Sequence, residues 1–247
     1  MQSLSESVRV DTQQGHLVNT FMELETEGPH AHSEHQHTWF RQAEIANMWT
    51  HFTAFIIGLV AFHALMRKSF ATGDAEIIAA AGIYGVCVLF TFLASTLYHG
   101  VTQPRLKQIF HLLDHLLIYL MIAGTYTPFA LVLLSGFWGM VLFVTIWGLA
   151  IFGIIFKIFM LGKMRLLSTI LYLFMGWIGV IAIVPIMSAL PHVGLIWLIG
   201  GGIIYTLGVL FYILESVPFA HTIWHIFVIF GAVCQFICIY NYIIPNH

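Results

Sequence analysis

Seven long apolar segments, separated by short breaks that hold most of the charge, leave this chain few ways to fold. They cover residues 48–66, 76–99, 110–134, 138–160, 166–190, 193–214 and 221–244. A helix needs about 20 apolar residues to cross the hydrocarbon of a bilayer. In lipid, backbone polar groups are satisfied only inside helices or closed barrels. The breaks RKSFATGD, GVTQPRLKQ, SGF, LGKMR, PH and ESVPFA supply the Gly, Pro and charge that end each segment. The expected fold is therefore an all-α integral membrane protein, a bundle of seven transmembrane helices formed by residues 44–247. Composition agrees: 8% of the residues are charged and mean hydropathy is +0.91, whereas a soluble domain carries about a quarter charged residues.

Residues 1–43 differ in kind. They hold Ser, Gln, Glu and Thr with His16, His30, His32, His35 and His37, the composition of a mobile, disordered tail. Alternating imidazoles in HAHSEHQH are also capable of weak metal chelation. This stretch has no apolar core of a secretory signal, so the first span is expected to act as its own uncleaved insertion signal. Orientation follows from Lys and Arg, which favour the cytoplasmic side. With the N-terminus inside, the inner segments hold Arg9, Arg41, Arg105, Lys107, Lys157, Lys163 and Arg165, and the outer ones only Arg67 and Lys68. The N-terminus is thus expected in the cytoplasm and the C-terminus outside. A net charge of −2 without a basic block argues against nucleic acid as a partner. Cys87, Cys234 and Cys238 all fall in apolar runs and read as small buried hydrophobes.

That topology brings several ionisable residues to one depth. His99 ends the second span, Asp114 lies near the start of the third, and His221 and His225 open the seventh. His51, in the first turn of span one, falls at the same level. None of these residues entered the orientation argument. His221 and His225 are four apart and share a helix face. With His99 they make a three-histidine set whose fourth position stays open for water or Asp114, the pattern of a catalytic zinc rather than a closed structural one. The alternatives are a water-linked polar cluster and a proton relay. Ser95, one turn before His99, is placed to hydrogen-bond a water or a substrate carbonyl, or else to bond its own helix backbone. Asp114 and His115 differ by about 100° around the helix. The carboxylate is taken to face inward, leaving His115 as a contact or supporting residue. His63 and His192 have no evident partner.

Four blocks carry a family resemblance: EIANMWTH (44–51), STLYH (95–99), LDHLLIYLMIAGTYTPF (113–129) and HTIWHIFVIFG (221–231). Together they resemble the progestin and adiponectin receptor superfamily, most closely its bacterial branch of type III hemolysin-like proteins, over residues 44–244. The resemblance implies a zinc ion near the cytoplasmic face on His99, His221 and His225, with Asp114 close to the metal and Ser95 in the same motif. It also implies kinship with alkaline ceramidases, zinc-dependent lipid amidases with a similar Ser, Asp and three-His set. The bacterial branch implies a bacterial plasma membrane. Glu44, Asn47 and His51 match the first block, where a helix cap and packing are the plain explanation.

Two functional expectations follow. In the first, zinc polarises a carbonyl and activates water, Asp114 moves the proton, and Ser95 orients the carbonyl of a membrane-lipid amide or ester. In the second, the protein is a non-enzymatic membrane effector, either a pore-forming cytolysin or a regulator of membrane homeostasis. A polar stripe through the whole bilayer depth, which a pore requires, is absent from the spans. A third option is a structural zinc that clamps spans two, three and seven together.

Overall fold

A computed structural model describes residues 39–159, 165–214 and 217–245. The histidine-bearing stretch before residue 39 lies outside them. Among the described residues all regular structure is helical, and seven helices are long and apolar enough to cross a membrane. They are α1 (Trp39–Ala71), α2 (Ala75–Gly100), α3 (Pro104–Pro128), α4 (Gly136–Phe159), a fifth span made of α5 (Arg165–Gly176) and α6 (Ile183–Ala189), α7 (His192–Ile213) and α8 (Ala220–Cys238). Within Glu44–His247, α2 packs along α3 and α7 along α8, with α4 and α5 against α3. Much of the outward surface is bare hydrocarbon, such as Val184 and Ile196. In water such a surface would be an aggregation liability; in lipid it faces its own solvent.

Helix ends fall where local chemistry puts them, and so differ from the apolar segment ends. The Asp74 carboxylate accepts hydrogen bonds from the Glu76 and Ile77 amides at 2.8 and 3.3 Å. This side-chain cap satisfies two of the orphan donors at the start of α2. Gly73 precedes it with φ +67°, a backbone conformation open to glycine without a steric penalty. The third helix begins at Pro104, not at residue 110. Proline is favoured in the first helical turn because its missing N–H would have no partner there. The basic residues of PRLKQ thus extend the helix beyond its apolar part, and hydropathy alone cannot see that extension. At the other end Pro128 removes a donor, and the chain continues as a wider π turn over Phe129–Leu134.

The fifth span is broken. After Gly176 the chain runs through a 3₁₀ segment, Ile178–Ala182, before α6 resumes. Backbone groups freed by such a break need partners when lipid surrounds them. Tyr126 of α3 supplies two: its hydroxyl donates to Gly176 O at 2.6 Å and accepts from Gly179 N at 3.2 Å. Trp177, at the break, donates from Nε1 to Thr206 Oγ1 at 3.1 Å. Beside this break lies a cavity of about 190 Å³ between α3, the fifth span, α7 and α8. Along α3 its lining runs from Asp114 to Tyr126, roughly 18 Å at ~1.5 Å per residue. One end holds the ionisable His51 and Asp114; Ile186 and Leu198 line its far part, with Gln235 donating to Leu198 O at 3.1 Å.

Candidate metal centre

Two helices bring the three histidines together. His99 comes from the last turn of α2, and His221 and His225 from the first two turns of α8. Ring centroids are 5.3 Å apart for His99 and His221, 5.1 Å for His99 and His225, and 4.6 Å for His221 and His225. One nitrogen from each lies within 4.8 Å of the others, so the group can hold a metal ion. His225 is 0% and His99 7% exposed.

The hydrogen bonds around the rings test whether a cation fits. The Glu44 carboxylate lies 3.2 Å from His99 Nδ1 through Oε1 and 2.5 Å from Lys107 Nζ through Oε2. A carboxylate there accepts from Nδ1–H, which places the His99 lone pair on Nε2. Thr50 sits 3.4 Å from His225 Nδ1 through Oγ1, and its own hydroxyl donates to Asn47 O at 2.8 Å. The Thr50 oxygen is therefore the acceptor, and the His225 lone pair also falls on Nε2. These tautomers are assigned from the partners of each ring. Both Nε2 atoms are buried with no hydrogen-bond partner among the described residues. Buried polar atoms seldom stay unmatched. Two inward lone pairs, each fixed by an outer partner on the other ring nitrogen, are the usual support of a histidine-held metal.

Asp114 is buried on α3 next to His99 but outside the three-nitrogen group. Ser95, 1% exposed, lies one helical turn before His99 with the Asp114 carboxylate as its neighbour. Its Oγ meets no partner in normal hydrogen-bond geometry among the described residues. The other α3 histidines stay apart: His111 is exposed, and His115 Nδ1 is 2.8 Å from the His111 carbonyl. His63 and His192 are exposed and outside the group. Cys87, Cys234 and Cys238 are free and half-buried or buried.

The first block proves richer than a cap and packing. Glu44 orients His99 and pairs with Lys107, which also donates to Tyr98 O at 3.3 Å. Thr222 donates to Asn47 Oδ1 at 2.5 Å, tying α8 to α1. His51 stacks on His225 with centroids 3.7 Å apart and planes 8° from parallel. The signal was present: positions 44, 47 and 51 repeat at helical spacing and so share one face. Their partners, at His99, Thr222 and His225, lie too far along the chain for spacing to name them. We expect Glu44→Gln, which keeps an acceptor oxygen but loses the charge, to weaken metal affinity by about 10–100-fold. Competition with a chromogenic chelator measures this, and an unchanged affinity would show that Glu44 serves only the pair with Lys107.

Seven apolar helices with a three-histidine group, buried at His99 and His225 and half-buried at His221, define a multi-pass integral membrane protein with a centre able to hold a metal. The chain belongs to the haemolysin-III-related family, whose model matches residues 39–236. It is 42% identical to Hemolysin-3 of Bacillus cereus over 209 residues, which cover 85% of this chain and 95% of that protein. It is also 42% identical to a Hemolysin-3 homolog of Bacillus subtilis (strain 168) over 199 residues, 81% of this chain and 93% of the relative. The human monocyte to macrophage differentiation factor is 29% identical over 231 residues, 91% of this chain and 94% of that one.

Proposed function

We propose that the protein is a zinc-dependent hydrolase of a membrane-lipid amide or ester, with His99, His221 and His225 as the metal ligands. The observation that carries this reading is the pair of buried Nε2 atoms, without a partner among the described residues, beside a buried carboxylate at the ionisable end of an apolar cavity. Three imidazoles with an open fourth position suit zinc in a catalytic role. A bound zinc ion would supply Lewis acidity toward a carbonyl oxygen and make water a nucleophile near neutral pH.

The chain's own residues do the rest. The cavity holds an acyl chain and excludes bulk water, so the carbonyl of a lipid entering from the bilayer stops at the ionisable end. Ser95 orients that carbonyl through its hydroxyl. Asp114 accepts a proton from the attacking water as the new C–O bond forms. It returns that proton to the leaving nitrogen or oxygen as the scissile bond breaks. Water is consumed, and a carboxylic acid and an amine or alcohol leave. Glu44 and Thr50 keep the two imidazoles in the required tautomer throughout.

The Lys and Arg distribution supports a cytoplasmic N-terminus, and with it a site near the cytoplasmic face. The Bacillus relatives favour a bacterial plasma membrane. The test is metal analysis of purified protein followed by incubation with defined lipid amides and esters. The expected result is close to one zinc per chain and release of free fatty acid. Full zinc with no turnover on any of them would leave the metal as a clamp between α2 and α8. Dye release from reconstituted vesicles separates the pore reading, which the relatives' name suggests; retained dye is expected, because the buried ionisable side chains among the described residues, His51, His99, Asp114 and His225, gather at one end of the helices.

A further inference from the structure

His51 is a buried imidazole that the three-histidine group does not account for. It is 3% exposed, lies flat on His225, and has the Phe92 ring 5.3 Å away. Both of its nitrogens are buried, and neither has a hydrogen-bond partner among the described residues. It stands outside the group of nitrogens able to share one ion. Packing does not explain an imidazole here. A phenyl ring would stack on His225 and Phe92 equally well, without leaving two polar atoms unmatched, which folded interiors rarely tolerate.

What His51 does border is the cavity, at the same end as Asp114. A neutral imidazole offers one N–H and one lone pair. The N–H and the lone pair point to different sides of the ring, so its match is a head group that brings an acceptor to one side and a donor to the other. Two hydroxyl protons of the cavity lining are already committed: that of Thr91 Oγ1, to the Cys87 carbonyl at 2.8 Å with the Leu117 carbonyl at 3.1 Å sharing it, and that of Tyr172 Oη, to the His115 carbonyl. We propose that His51 is the contact residue for the polar head of the cavity's lipid, selecting a carbonyl accompanied by an N–H or hydroxyl over a plain ester. Its parallel stack on His225 fixes the ring plane, so the two nitrogens are held at set positions before the lipid arrives. This assignment rests on the lipid reading above and adds to it a choice between head groups.

The test uses the full-length, zinc-loaded protein in detergent micelles and two probes of equal acyl length. N-dodecanoylethanolamine carries an amide N–H and a hydroxyl; methyl dodecanoate carries neither. Wild type is expected to prefer the first by on the order of tenfold, the size of one or two neutral hydrogen bonds. His51→Phe, which keeps the stack, should lose that preference while retaining its zinc and its affinity for methyl dodecanoate. His51→Leu makes the same comparison should the phenyl variant fail to fold. His51→Gln, which restores a donor and an acceptor, should recover most of the preference. A preference unchanged in the apolar variants overturns the assignment and leaves the lipid reading standing. Loss of zinc from them overturns it as well, by making His51 a ligand. A wild-type protein that binds neither probe brings down both readings.

Discussion

Asp114→Asn is expected to lower lipid hydrolysis by at least about a hundredfold while leaving zinc content unchanged. Positioned acid–base groups contribute roughly 10²–10⁴ in rate, and Asn matches Asp in shape but cannot take up the water's proton. The carboxylate is buried, beside His99 and Ser95, and stands outside the three-nitrogen group. The substitution would therefore remove the proposed proton carrier and no member of that group. Ser95→Ala should cost less, on the order of tenfold, because only one neutral hydrogen bond to the carbonyl is lost. The measurement is initial rate of fatty-acid release, with zinc determined on the same samples. Turnover in Asp114→Asn at the wild-type rate would remove Asp114 from the mechanism. Loss of zinc in that variant would instead make it a fourth ligand.

His225→Gln is expected to lose the metal and the stability that comes with it. His225 is fully buried, held by Thr50 on one nitrogen and stacked on His51. Removing it leaves two imidazoles, so the fall in metal affinity should exceed the roughly 10–100-fold of an outer partner such as Glu44. Glutamine keeps much of the volume, which limits the cavity cost of about 2–4 kcal/mol expected on truncation to Ala. A ligand that binds only the folded state stabilises it by mass action. Wild type should therefore lose thermal stability when treated with a strong chelator, whereas His225→Gln should be insensitive. Thermal unfolding in detergent, with and without chelator, reads both. A variant that retains full metal and still responds to chelation would mean the ion sits elsewhere.

The seven spans were legible because hydropathy and helix length are local properties of the chain. Their ends were less so. The apolar part of the first span predicts residues 48–66, yet the helix covers Trp39–Ala71. A helix continues past the lipid boundary until a cap, a glycine or a proline stops it, and Pro104 and Asp74 govern two of those ends. The break in the fifth span has a quieter signal, glycines and Pro185 within an otherwise apolar run. What makes the break tolerable is Tyr126, about 50 residues earlier, which satisfies its freed backbone groups.

The sequence alone determined the class of the molecule. Its apolar length can be satisfied only by spanning helices, and the i, i+4 histidines, His99 and Asp114 could be placed at one level from helical rise and charge bias. Tertiary structure decided what those residues face. It brought Glu44 to His99, Thr50 and His51 to His225, and opened the cavity beside the broken fifth span. These contacts join residues 55 to 175 positions apart. Helical periodicity says which side chains share a face, but the face opposite is chosen by how all seven helices pack at once. EIANMWTH could therefore be seen as one patterned face, while its partners on α2 and α8 waited for the fold.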